Sequence, residues 1–307
     1  MVDFGAVLRQ IPTRAEVVGS FDQLALARDA VSPFVAGESV GSAVEAVREA
    51  TEAGMSASVL YLPLPDAREA ARVACVQVIE ALAIDDLSVG TDLAVDPVAM
   101  GLGRVGEQAL RSDLALMCAA AERAGMTVTF TSVPHELVET VLGIRDELAT
   151  ELPDLGVTLT ANLHRTEGDC LDLAGSGARV RLLRREVAPS RGVAFTDAHE
   201  IDRAFVRCTR LLMDAGARPV IATHDQRLLD IAGALAERAE RAPGEYTFQL
   251  RRGVAEARAA ELVAAGAAVS LLVPFGPDWA RYVARWIAVR PASVGKAVGA
   301  AIGRADR

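Results

Sequence analysis

A phenol and a guanidinium, Tyr282 and Arg285, stand three residues apart near the end of the chain, within VPFGPDWARYVARWIAVRP (273–291). On a helix, residues at that spacing are surface neighbours. A guanidinium is a planar fork whose donors match the two oxygens of a carboxylate. The pair follows an apolar run and a Gly-Pro turn, so it is equipped to hold an organic acid where a strand gives way to a helix. Trp279 and Trp286 share the segment, although only 4% of the chain is aromatic. The plainer reading is an amphipathic helix that buries two Trp and leaves its Arg in water.

A second constellation lies in ARVRLLRRE (178–186), which carries Arg181, Arg184 and Arg185, and at the end of YTFQLR (246–251), where Arg251 precedes Arg252. A guanidinium in a strand of buried type needs an anionic partner, because burying an unpaired charge is very costly. A neighbouring acid such as Glu186 meets that need. So does a phosphate, or an electron-rich ring such as a reduced flavin with negative charge near N1. Three of the four His (His135, His164, His224) fall at or just past apolar runs. That clustering admits a metal-dependent hydrolase with ligands drawn from several strands. Against it stands the absence of any HxH or HxxxH spacing.

The elements that position these groups alternate regularly. Helical stretches cover about 14–30 and 40–52. Strands are expected at Ser56 to Pro63, Asp86 to Leu93, Met126 to Val133, Gly156 to Leu163, Ala178 to Glu186, Arg218 to His224, Tyr246 to Arg251 and Ala267 to Phe275. Short length and Val, Leu, Ile and Thr enrichment favour strand over helix. Between them lie Ala-, Leu-, Glu- and Arg-rich stretches such as EQALRSDLALMCAAAERAG, several of them closed by Gly as helix ends often are.

Eight strands, each with a helical segment, make an α/β fold with a single (βα)8 barrel of the TIM type, N-terminal helices and a C-terminal helix. A doubly wound sheet fits the same alternation, but no Gly-x-Gly-x-x-Gly turn follows the first strand. The expected division is a helical segment over 1–54, the barrel over 55–293 and a tail over 294–307. In such a barrel function sits at the C-terminal strand ends. That nominates Thr91 and Asp92, Ser132, Asn162, His164, Arg184 to Glu186, His224 and Asp225, Arg251 and Arg252, and Leu272 to Gly276.

The 307 residues are 51% hydrophobic, ample for a large core, and their formal charge is -9. The 32 Lys and Arg are scattered, so no basic stripe is offered to nucleic acid. Four widely spaced Cys without a CxxC pair read as reduced thiols of a cytosolic protein. Neither a signal-peptide pattern nor an apolar run of the roughly 20 residues needed to span a membrane is apparent. A soluble, cytoplasmic protein is expected.

Six segments in order resemble the proline dehydrogenase family, flavoenzymes built on a distorted (βα)8 barrel. They are FVAGES (Phe34 to Ser39), ANLHRTEGD (Ala161 to Asp169), VRLLRREV (Val180 to Val187), IATHD (Ile221 to Asp225), YTFQLRRGV (Tyr246 to Val254) and VPFGPDWARYVARW. They are similar to the family's FVAGET, AYL-x-R, VRLVKGAY, ATHD, EFQMLYGV and VPYG-x-DW-x-x-Y-x-x-RR segments. The resemblance implies FAD held by Arg181, Arg184, Thr223, His224 and Gln249, with Thr160 where the family has Gln. It implies a substrate carboxylate met by Arg285, with Tyr282 packed beside it. It also implies hydride transfer from the carbon of a secondary amine or imino acid to flavin N5, an imine product, and a quinone-type electron acceptor. No catalytic side chain beyond the flavin is assigned.

The departures fall mainly on the substrate side. The family's strand-two Lys is placed at Gly90, the second Arg of its pair is Trp286, and the Tyr before its VPYG is Leu272. The Gly of its VKGAY is Arg185, and its strand-three Asp is missing from TVTFTSV. Loss of two cations, at roughly 1.5 to 3 kcal/mol per charged hydrogen bond, predicts a pocket reshaped for a less anionic or bulkier amine. A catalytically degenerate member acting as a binding or regulatory protein is the alternative within the family.

Overall fold

The structure is a computed structural model that describes residues 32–185 and 192–283. Ser39 opens the first helix of the described residues, α1 (Val40–Glu52), through a reciprocal capping box with Ser42. This satisfies donors that a helix start otherwise leaves orphaned. The chain then runs β1 (Ser56–Tyr61), α2 (Arg68–Ile84), β2 (Asp92–Val95), α3 (Glu107–Arg123), β3 (Thr127–Phe130), α4 (Val138–Leu148) and β4 (Gly156–Thr160). It continues with α5 (Thr166–Ala174), β5 (Arg179–Leu183), α6 (Ala198–Asp214), β6 (Arg218–Ala222), α7 (Gln226–Arg238), β7 (Thr247–Arg251), α8 (Glu256–Ala264) and β8 (Val269–Phe275).

The strands form one closed, wholly parallel barrel in sequence order. Closure is the seam between β1 and β8, in register from Ser56 opposite Ser270 to Tyr61 opposite Phe275. The outer faces of the strands (Val59, Leu93, Val128, Val157, Leu182) and the inner faces of the helices (Val47, Leu82, Leu114, Phe205, Leu229) make one apolar layer between sheet and helices. The expected (βα)8 fold is the observed one. Asp197 and Asp225 start α6 and α7 by accepting backbone N–H bonds at His199 and Glu200, and at Leu228, respectively. The glycines closing the AG and AAG helix ends, among them Gly125 and Gly216, take φ of +74° and +82°. Glycine reaches such angles without Cβ strain.

Strand two departs from the sequence expectation. The stretch LSVG, read as the body of a strand, is instead the turn that follows α2. Leu87 N–H bonds to Leu82 O, Thr91 N–H bonds to Ser88 O, and Gly90 has φ +81°. Positive φ is incompatible with a pleated strand. The strand begins at Asp92 and ends at Val95. Gly90 therefore lies on the N-terminal face of the barrel, remote from the mouth, and the residue that leaves β2 at the mouth is Asp96.

Among the described residues no helix is long and apolar enough to cross a membrane. Cys75, Cys118, Cys170 and Cys208 are free and buried. The helical stretch expected at 14–30, the chain beyond 283 with Arg285 and Trp286, the tail 294–307, and Glu186 lie outside the described residues.

Candidate functional site

The C-terminal mouth of the barrel encloses a cavity of about 500 Å³, within the usual range for a small-molecule site. The period of two along each strand decides what faces it. On β5 and its exit, Arg181, Leu183 and Arg185 line the cavity, while Arg184 does not. Arg184 points out to α6, where it pairs with Asp202 and donates to Ala198 O at 3.2 Å. Ala222 and His224 line it at β6, Gln249, Leu250 and Arg251 at β7, and Leu272 at β8. Asp278, Arg281 and Tyr282 close it from the segment after β8.

Beneath the cavity lies a charged core. Asp92 Oδ2 accepts from Arg181 at 2.6 Å and from Ser58 Oγ at 2.6 Å. Its Oδ1 accepts from Thr129 Oγ1 at 2.7 Å and Thr127 Oγ1 at 3.0 Å, with Arg179 Nε 3.7 Å away. Burial by itself would raise the Asp92 carboxyl. The charges of Arg179 and Arg181 and the hydroxyl bonds outweigh burial and hold it below the ordinary carboxylate value. The anionic partner demanded by Arg181 is thus supplied from β2. Thr127 and Thr129 of TVTF, where the family resemblance marked an Asp as missing, donate to that carboxylate.

Gln249 Nε2 and Thr158 Oγ1, both buried on the cavity wall, have no hydrogen-bond partner among the described residues. Their residues keep only 3% and 6% of their surface. An unsatisfied buried polar atom is costly, so both are available to a polar group in the mouth. His224 Nε2 accepts from Arg251 N–H at 2.9 Å. A neutral His224 therefore carries its ring proton on Nδ1. The Arg251 guanidinium donates to the Tyr282 hydroxyl and sits 5.5 Å from that ring's centroid. Tyr61 packs on Phe275 with centroids 5.3 Å apart, and burial raises its phenol above the usual value.

The three His nominated for a metal go different ways. His135 contacts Glu136 at 3.2 Å, His164 stacks edge-on against Phe195 at 4.6 Å, and His224 serves Arg251. Among the described residues no three His, Cys, Asp or Glu side chains are grouped as a metal-binding set. The metal-dependent alternative is left without ligands there.

The family profile named Proline dehydrogenase matches residues 187–283. Proline dehydrogenase 1 of Bacillus subtilis (strain 168) is 29% identical over 264 residues, covering 85% of this chain and 86% of that protein. The proline dehydrogenase of Deinococcus radiodurans is 24% identical over 264 residues, 84% and 85% of the two chains. Among solved structures, proline utilization A of Bdellovibrio bacteriovorus, inactivated by N-propargylglycine, aligns with a TM-score of 0.78 at 19% identity. That likeness covers 92% of this chain but 36% of the other, so the chain spans about a third of that larger protein. The chain is similar to proline dehydrogenases over most of its length.

Within that family framework, the residues named from the resemblance separate into two groups. Arg181, His224, Gln249, Leu272 and Tyr282 meet in the mouth. Arg184, Thr160, Thr223 and Gly90 are not on the cavity wall. Thr160 gives its carbonyl to Thr166 Oγ1 at 2.7 Å, while Thr158 faces the cavity from the same strand. Thr223 Oγ1 accepts from Asp225 N–H at 3.2 Å and so shapes the turn into α7. Arg184 is spent on Asp202, and its neighbour Arg185 takes the inward place. Asp96, Asp66 and Asp278 were missed as cavity residues. Asp96 was legible in principle, since Asp-Pro directly after the apolar run LAV is a strand-ending signal.

Proposed function

We propose that the chain is a flavin-dependent oxidoreductase that converts the C–N bond of a secondary amine or imino acid to an imine, with FAD as its cofactor. The observation that carries this reading is the mouth cavity of a barrel similar to proline dehydrogenases, where Arg181 and His224 converge with Gln249 Nε2 and Thr158 Oγ1, which have no hydrogen-bond partner among the described residues. Bound flavin supplies the two-electron acceptor. Arg181, oriented by Asp92, presents fixed positive charge where an electron-rich ring gains negative charge. Gln249 Nε2 and Thr158 Oγ1 offer donors at the cavity wall. Leu60, Leu62 and Leu272 exclude water from the reacting carbon. Reoxidation falls to a quinone-type acceptor, as the resemblance implies.

The choice of a dinucleotide flavin over a mononucleotide follows the family resemblance; the structure adds a groove of about 370 Å³ between α6 and α7. His199, Arg203 and Arg227 surround an apolar floor of Val206, Leu228 and Ile231. Both helices begin there, directly after β5 and β6, on the same face as the mouth. The groove's Arg203, Arg207 and Arg227 already pair with Glu200, Glu167 and Asp202, and the helix-start N–H groups are taken by Asp197 and Asp225, so the groove does not decide between the two flavins.

The test is the visible spectrum of the purified protein, reconstituted with FAD or with FMN and then titrated anaerobically with L-proline and other secondary amines. Tight FAD binding and bleaching by one of the amines are expected. A protein that stays colourless with either flavin overturns the reading. Flavin bands that resist every amine leave a non-catalytic flavoprotein. Replacing Gln249 with Leu should weaken FAD binding by about tenfold, one charged-group hydrogen bond at the low end of its range, without loss of apoprotein stability.

A further inference from the structure

We infer that the exits of β1 and β8 form an apolar subsite, so that the pocket prefers a cyclic secondary amino acid with an alkyl group on its ring over L-proline itself. The inference rests on the reading of the mouth as an amine-oxidising site, and it names the substrate class of that site. Along the seam that closes the barrel, the inward side chains change character toward the mouth. Ser58 of β1 and Ser270 of β8 face the barrel interior. Two residues further on, the inward places belong to Leu60 and Leu272, both on the cavity wall.

The wall continues past β1 as Leu62, Pro63, Leu64 and Pro65, all of which line the cavity. Neither proline has an N–H to offer, and each favours extended backbone at the leucine before it. Leu62 N–H donates to Phe275 O at 2.7 Å, and Leu62 O accepts from Asp278 N–H at 3.1 Å. Both backbone polar groups of Leu62 are thereby used, and its side chain faces the cavity. Leu64 stands at the rim with 53% of its surface exposed. Its carbonyl accepts from Ala67 N–H at 3.2 Å, which ties the lip to the start of α2. Carboxylates share this side of the mouth, but each is engaged. Asp66 pairs with Arg104, Asp278 lies 3.4 Å from Arg281, and Asp96 accepts from Val98 N–H at 2.9 Å and Ala99 N–H at 3.2 Å.

Donors for a cofactor come from other strands. Thr158 lies on β4, Arg181 on β5 and Gln249 on β7, and β5 stands across the closed barrel from β1. Gln249 Nε2 and Thr158 Oγ1 have no hydrogen-bond partner among the described residues. The mouth is thus two-sided, with polar donors on one arc and hydrocarbon at the β8–β1 seam. A methylene moved from water onto such a wall strengthens binding about fourfold. L-Proline remains a ligand of this site, and the seam adds a place for a short alkyl group on its ring.

Calorimetry with ligands that cannot be oxidised tests the subsite apart from the chemistry. Cyclopentanecarboxylate and 3-propylcyclopentanecarboxylate lack the amine, and each is titrated into the FAD-loaded protein and into the apoprotein. The propyl acid should bind at least about tenfold more tightly, which is less than three fully buried methylenes would give. Leu64→Asn should lower that ratio by about threefold or more, and Leu64→Met should keep it. Because Leu64 is exposed at the rim, its replacement leaves the core intact, and an unshifted melting temperature verifies this. Equal affinities for the two acids, undetectable binding of both, or a ratio unmoved by Leu64→Asn overturns the inference. Flavin bleaching by L-proline and by 4-propyl-L-proline is scored separately. Tighter propyl binding without bleaching upholds the subsite and fails only the oxidoreductase reading. Bleaching without a propyl preference fails only the subsite.

Discussion

At Asp92 burial and charge pull the carboxyl in opposite directions, and charge prevails because two guanidinium groups and three hydroxyls converge on it. The sign of the resulting pH dependence follows. A folded-state pKa below the ordinary value of about 3.9 means this stabilisation is fully present above that value and is lost as pH falls through the folded value. Asp92→Asn removes the anion from between Arg179 and Arg181, and breaking a buried pair in this way costs about 3–5 kcal/mol. Urea unfolding at neutral pH should report that loss, and the variant's stability should fall less steeply in acid than that of the parent. A loss under about 1 kcal/mol, the scale of an exposed pair, would mean that the network is not what holds Arg181. The need for such an anion was legible from Arg181 alone. Its source on β2 was not, because β2 and β5 are brought together only across the barrel interior.

Among the elements, the exit of β8 is the most constrained. Gly276 has φ +126°, and a Cβ there would lie 2.7 Å from Leu62 O and 2.8 Å from Leu62 N. Its own N–H bonds to Gly37 O at 2.9 Å, and Ala36 N–H bonds to Pro274 O at 2.8 Å. The FVAGES turn, the β1 exit and the β8 exit are thereby locked into one corner of the mouth. Gly276→Ala should cost about 1–3 kcal/mol from backbone conformation alone, with more from the collision, and should also weaken ligand binding. Gly90→Ala is the contrast. Its φ of +81° carries a similar conformational cost, yet nothing lies within 4 Å of the added methyl. It should lower the melting temperature and leave ligand affinity unchanged. An altered affinity in Gly90→Ala would return that residue to the substrate site. The misplacement of strand two has a plain cause. LSVGTDL alternates well enough to pass for a strand, and only the turn closed by Gly90 shows that pairing begins at Asp92.

Over the whole molecule, the chain has a formal charge of -9, yet among the described residues five Arg and three Asp line the mouth cavity. A locally positive cleft in an acidic protein focuses field lines toward the opening. Association of the proposed FAD, followed by quenching of flavin fluorescence, should therefore slow several-fold between roughly 0.02 and 0.5 M salt, as the Debye length shrinks from about 20 Å to a few ångström. A salt-independent association rate would show that the acidic exterior cancels the mouth's charge before a ligand reaches it.

By itself the sequence determined what depends on local order. Alternating apolar runs and helix-forming stretches, closed by Gly, dictated eight βα units, and the family resemblance rested on short contiguous segments in register. The tertiary structure decided what depends on which way a side chain turns and what lies across the barrel. Arg184 and Arg185 are adjacent and chemically alike, yet the period of a strand sends one to Asp202 on α6 and the other into the cavity. Asp92 and Asp96 sit four residues apart, yet four residues of strand carry a side chain from the barrel floor to its mouth. A single turn at Gly90 sets that phase, and a one-residue shift in strand phase exchanges every inward side chain for an outward one.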